Sequence, residues 1–355
     1  MEKFSQVYKG VFISFLVVIL AILISISVSP EWLGSWGSLF LNAMVPMQIV
    51  ISLLWRSEYP KSLALLPQPL KGFSFLCLTV AVGFSIAYLA LMSIGVGVVP
   101  PTPFVVMYLI VVVPITIWLI IPLECWPLKL FIKNEGLLGM AVILISHFIA
   151  YGIFKYLFNF SFAMQAPFYL ASLDPSGLFN AWVPLVAILI TLVLILMLVL
   201  LDFWPVIALI KLLSKPIKQP LFGFLSALLI IPITIFIYHL FMNVNDMNIV
   251  VFMSRFCIPT IFGIFIILVM LEGLPSLKIP QPWRGVILIS IALALSVVMY
   301  EIYAGVAMEV FKLAPSSPGY DLELWIAASM LSITFPLMVT VASYFEFWPL
   351  RKPSQ

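Results

Sequence analysis

Apolar residues in this chain fall into long unbroken runs, separated by short polar stretches, and they do not alternate with polar ones. Ten runs stand out, near residues 9–29, 36–55, 73–98, 103–123, 137–158, 178–202, 220–243, 249–271, 285–311 and 322–347. A helix crossing about 30 Å of hydrocarbon needs roughly 20 mostly apolar residues. In lipid every backbone polar group must be paired within its own segment, so continuous runs predict helices rather than strands. The pattern predicts an all-α polytopic membrane protein with ten transmembrane helices.

Composition agrees with that pattern. Of 355 residues, 64% are hydrophobic and 9% are charged. A soluble domain is nearer half apolar and a quarter charged, and no globule in water could hide the difference. The net charge of +3 gives no basis for a nucleic-acid partner. Cys77, Cys125 and Cys257 lie in or beside apolar runs, with neither disulfide-framework nor metal-ligand spacing. The N-terminal "MEKFSQVYKG" leads into an apolar run without a small-residue cleavage site, and we read that run as a retained first span.

The basic residues set the expected orientation. With ten crossings, all of the 17 basic residues except Lys155, Arg255 and Lys312 fall on the side of the N-terminus. Basic loops stay in the cytoplasm, so both termini are expected there. Trp32, Trp36, Trp182 and Trp325 lie at interface depth on the opposite side, as an aromatic belt. The expected location is the cytoplasmic membrane of a prokaryote.

Each even-numbered run ends in an acid followed closely by proline: "SEYP" (Glu58, Pro60), "ECWP" (Glu124, Pro127), "DFWP" (Asp202, Pro205), "EGLP" (Glu272, Pro275) and "EFWP" (Glu346, Pro349). Three connectors enter the next run alike, through "PQPLKG", "KQPLFG" and "PQPWRG". Each even run also holds a proline expected to kink it, namely Pro46, Pro114, Pro184, Pro259 and Pro336. A near-constant period marks a repeated unit. The chain therefore predicts five tandem two-helix hairpins inserted in one sense, near 1–69, 70–134, 135–219, 220–282 and 283–355, within a single membrane domain. Such repeats are related by an axis along the membrane normal, and either a closed pseudo-fivefold ring or an open arc satisfies the pattern.

The repeated acids Glu58, Glu124, Asp202, Glu272 and Glu346 have two readings. An acid beside the N-terminus of a neighbouring helix gains about 0.3–1 kcal/mol from the helix dipole, and it can pair with a connector cation, as Glu124 could with Lys129. Alternatively, five carboxylates at the mouth of a pathway would select cations.

Ionisable side chains at membrane depth are costly and therefore functional candidates. Sixteen residues beyond the glycine that opens an odd run stand Tyr88 (from Gly72), Lys155 (from Gly139), His239 (from Gly223) and Glu301 (from Gly285). That separation rises about 24 Å along a helix and places these groups in one layer near the outer face. Lys155, His239, Asp246, Arg255 and Glu301 form a candidate outer polar cluster, either a solute or proton site or a set of salt bridges and snorkelling chains. His147 lies near mid-membrane, where a cross-helix hydrogen bond is its expected role. A bis-histidine haem is disfavoured, because His147 and His239 differ in depth by about 9–14 Å.

The chain has no "GxxxxGK[ST]", "GxGxxG", "HExxH" or "GxSxG" motif, no metal site is expected, and no catalytic residue is assigned. No cofactor is predicted, although the apolar helix faces suit a lipid or an apolar pigment. Expected partners are membrane lipids and partner membrane subunits. Two functions fit: a transporter or channel-like carrier of an unidentified solute, without nucleotide-driven chemistry of its own, or a non-catalytic structural subunit of a larger membrane complex.

Overall fold

The computed structural model describes the backbone of residues 2–315 and 319–350, with side chains from residue 7 onward. Among these residues ten helices are long and apolar enough to cross a membrane: α1 (Val7–Ile26), α2 (Pro30–Leu54), α3 (Leu70–Ser93), α4 (Pro103–Ile120), α5 (Glu135–Leu157), α6 (Trp182–Leu200), α7 (Leu221–Val244), α8 (Ile249–Met270), α9 (Trp283–Phe311) and α10 (Asp321–Tyr344). The chain is thus a nearly all-helical, multi-pass integral membrane protein. Each helix falls within a few residues of an apolar run. The largest offset is at α2, which starts at Pro30, ahead of the run near 36–55; before α6, residues 179–180 form a short parallel pairing with 158–159.

Even and odd helices have different surroundings. In α2, α4, α6, α8 and α10, 56–72% of the apolar window is buried, against 28–39% in the odd helices. The odd helices turn residues such as Phe15, Leu89, Phe148, Phe236 and Val297 outward, as lipid-facing helices do.

The chain divides into two compact units. One holds Met1–Ser27, Ile121–Trp126 and Leu189–Met338. In it α8 packs along α9, α1 packs on the last turn of α8 and the middle of α10, and α7 covers the connector helix Trp204–Leu212. Gly263 permits the α8–α9 approach, since a Cβ there would run into the Ala292 carbonyl. The other unit holds Val28–Ile120, Pro127–Ile188 and Val339–Gln355. In it α2 packs between α3 and α4, and α4 packs on α5. Gly83 of α3 lies against Met44 of α2, with no room for a Cβ.

Four of the expected proline kinks lie inside spans: Pro46, Pro114, Pro259 and Pro336. Pro259 and Pro336 follow π-helical stretches at Met253–Cys257 and Ser329–Thr334. A wider turn there accommodates the hydrogen bond that proline cannot donate. Pro184 corrects the expectation. It lies in the first turn of α6, where an N–H would have no intrahelical partner in any case. An interior proline that the even-run pattern did not flag occurs at Pro232 of α7.

Candidate functional site

The five even helices end in the same way. After Trp55, Leu123, Leu201, Leu271 and Phe345 come two consecutive residues with positive φ: Arg56–Ser57, Glu124–Cys125, Asp202–Phe203, Glu272–Gly273 and Glu346–Phe347. The amide of the next residue then donates back to the carbonyl of the last helical one. Glu58 bonds Trp55, Trp126 bonds Leu123, Trp204 bonds Leu201, Leu274 bonds Leu271 and Trp348 bonds Phe345, at 2.7–2.9 Å. Left-handed geometry satisfies carbonyls that a helix end leaves unpaired. This backbone register corrects one sequence assignment. The position occupied by Glu124, Asp202, Glu272 and Glu346 is held in the first copy by Arg56, and Glu58 lies two residues later.

Each of these ends receives the start of an odd helix through a glycine. A Cβ at Gly139 would come within 2.6 Å of the Trp55 indole, at Gly223 within 2.7 Å of Leu123, and at Gly285 within 2.5 Å of Leu201. At Gly10 it would meet the Met270 carbonyl at 2.6 Å and Leu271 at 2.9 Å, and at Gly72 the Phe345 ring at 2.5 Å. The odd helix in each joint is not the sequence neighbour. Helix α5 docks on the end of α2, α7 on the residues that follow α4, α9 on the residue that follows α6, α1 on the end of α8 and α3 on the residue that follows α10.

In three joints one glutamine closes the contact. Gln68 Nε2 donates to the Tyr344 carbonyl (2.7 Å), Gln219 Nε2 to that of Pro122 (2.9 Å) and Gln281 Nε2 to that of Leu200 (3.0 Å). The same side chain's Oε1 accepts the amide of the docking glycine, at Gly72, Gly223 and Gly285. One amide group thus satisfies an unpaired acceptor at one helix end and an unpaired donor at another. At the α5–α2 joint, Trp55 Nε1 donates to the Glu135 carbonyl at 2.8 Å instead.

The acids sit at the same joints. Glu346 pairs with Lys71, and Asp202 accepts from Gln281 at 2.7 Å and faces Arg284 at 3.5 Å. Glu124 faces Gln219 rather than Lys129. Where a basic residue directly precedes the docking glycine, as at Lys9, Lys71 and Arg284, the facing helix end carries an acid, Glu272, Glu346 and Asp202 respectively. These contacts are those of inter-helix fasteners.

The residues expected in an outer cluster fall in both units. Lys155 is exposed and belongs to the unit containing α5. In the other unit His239, Asp246, Arg255 and Glu301 are exposed. His239 Nδ1 bonds the Asn243 amide at 2.9 Å, and the Arg255 guanidinium lies 5.5 Å from the centre of the Tyr300 ring. Among the described residues no ion pair joins any members of this set. His147 Nδ1 lies 2.9 Å from the Ile143 carbonyl of its own helix, and Tyr108 packs against its ring. No group of three or more metal-ligating side chains occurs among the described residues.

The sequence pattern missed Glu323. It lies in the first turn of α10 and is 3% exposed, the single charged side chain in the buried class among the described residues. Further along α10 are two buried polar groups without a partner, Trp325 Nε1 and Ser329 Oγ. They lie one turn apart and so share a helix face. Tyr303 and Phe311 pack against the Trp325 ring, and Tyr303 bonds Thr334 at 2.6 Å. The signal in the sequence was only an acid two residues before a tryptophan, "DLELW", which reads equally well as a solvated helix start.

No protein family, curated protein or solved structure matches this chain.

Proposed function

We propose that the chain is a transporter or channel-like carrier, built as five tandem hairpins whose basic connectors and termini face the cytoplasm of a prokaryotic cell. The five matching helix ends and glycine joints support the repeat, and the basic connectors support the orientation.

The observation that carries the transport reading is the buried carboxylate of Glu323. A carboxylate buried at the end of a membrane span is costly, and ionisable residues within spans mark ion and substrate paths. Polar side chains continue along the same unit's buried helices, with Ser254 and Thr260 on α8 and Ser329, Ser332 and Thr334 on α10. The π-helical stretches occur in α2, α7, α8 and α10, and such stretches are frequent at functional sites. In this reading Glu323 carries the proton or cation, Arg255 and Tyr300 tune it, and the repeated acids hold the joints.

The test is flux into proteoliposomes loaded with a pH-sensitive dye, under an imposed potential and with proton, sodium and potassium gradients. The wild type is expected to dissipate one of these gradients. Glu323→Gln should abolish that flux, and Glu301→Gln should retain it. Flux no greater than in protein-free vesicles, together with partners co-purifying at fixed stoichiometry, would favour the structural-subunit reading instead.

A further inference from the structure

The segment joining α5 to α6, residues 158–181, is a folded unit rather than a flexible link. Phe158 and Phe160 are buried, and Phe160 packs against Phe104 and Phe154. The Gly177 amide donates to the Phe158 carbonyl at 2.7 Å, where a Cβ would clash, and the Ala181 amide donates to Asn159 at 2.9 Å. The segment has one charged residue, Asp174. Asp174 is occupied internally, accepting from the amides of Phe160 (3.2 Å) and Ser176 (2.8 Å) and from the Tyr169 hydroxyl (3.1 Å).

The segment exposes an unusual number of large apolar side chains, among exposed Ser161, Gln165, Ser172 and Ser176. Phe162, Met164 and Leu178 are 46%, 58% and 77% exposed, and Phe168, Leu170 and Phe179 are also exposed. A water-facing loop does not gather such side chains, and contiguous exposed apolar patches mark a membrane or protein contact. Helix α5, which leads directly into the segment, also exposes Leu144, Phe148, Tyr151 and Tyr156. We infer that residues 162–179 form an interfacial anchor whose apolar face inserts into the leaflet opposite the basic connectors, with Asp174 folded inward so that no charge meets the acyl chains.

The expected depth is shallow, about 5–10 Å below the headgroup boundary. The test uses the full chain in phosphatidylcholine/phosphatidylglycerol nanodiscs, with Cys77→Ser removing the exposed thiol and the buried Cys125 and Cys257 retained. A nitroxide is attached at Met164→Cys or, independently, at Leu178→Cys, and at Ser62→Cys in a connector as a water control. Collision with oxygen should exceed collision with a water-soluble nickel chelate at both loop sites, with the reverse at Ser62. Chelate-dominated collision at both loop sites would overturn the proposal, placing the loop in water. Exclusion of both collision partners at both sites would also overturn it, placing a protein surface there.

Discussion

Gln68 links two helix ends: its Nε2 donates to the carbonyl of Tyr344, 276 residues away in sequence, at 2.7 Å, while its Oε1 accepts the amide of nearby Gly72 at 3.3 Å. Gln219 and Gln281 repeat both bonds at their own joints. A net hydrogen bond contributes about 0.5–1.5 kcal/mol, and an orphaned buried group costs about 1–3 kcal/mol. Replacing each glutamine by leucine should therefore destabilise the protein by about 1–3 kcal/mol. Thermal melting in mild detergent should show each variant below wild type by a few degrees. The Gln68 and Gln219 effects lie in different joints and should add.

The docking glycines predict a sharper pattern. Gly72, Gly139, Gly223 and Gly285 have no room for a Cβ, whereas Gly152 and Gly305 have nothing within 4 Å. Leucine at any of the first four should collapse the monodisperse peak in size-exclusion chromatography. Leucine at Gly152 or Gly305 should leave it intact. Equal tolerance at all six positions would mean that the close approaches do not hold the helices.

The acids separate fastening from ion selection. Reversing one charge with Lys71→Glu or Glu346→Lys should lower the melting temperature, and the double reversal should restore most of the loss. The pair is partly exposed, so the coupling should be at most about 1 kcal/mol. Asp202 with Arg284 is more exposed and should show less. Ion flux should be unchanged by Glu346→Gln or Asp202→Asn once stability is matched. Altered cation selectivity would instead place these carboxylates on a pathway.

Ten spans were legible because the length of an apolar run measures a membrane crossing directly. The helix ends were legible because proline and an acid mark a terminus locally. The joints were not, because each pairs distant segments: nothing near Gly72 in the sequence points to Phe345. The register at Arg56 was hidden for a related reason. An acid two residues away suggested a match by residue type, and only the pair of positive-φ residues identifies the equivalent position. Glu323 escaped notice because burial depends on what packs over a residue, and a first-turn acid is ordinary on a solvated helix.

The buried acid also predicts a contrast in stability. Glu323→Ala should cost the fold more than Asp321→Ala, its exposed neighbour, because the groups packed around Glu323 would be left facing a void. Comparing the melting temperatures of the two variants checks this, and a larger loss at Asp321 would contradict the burial on which the transport reading rests.

The most direct test of the architecture is side-specific labelling of single cysteines in intact spheroplasts and in inverted vesicles. Ser62, Lys133, Ser214 and Ser276, one in each basic connector, should react with an impermeant maleimide from the cytoplasmic side alone, and Asn245 from the opposite side alone. A single connector that labels from outside would contradict five hairpins inserted in one sense.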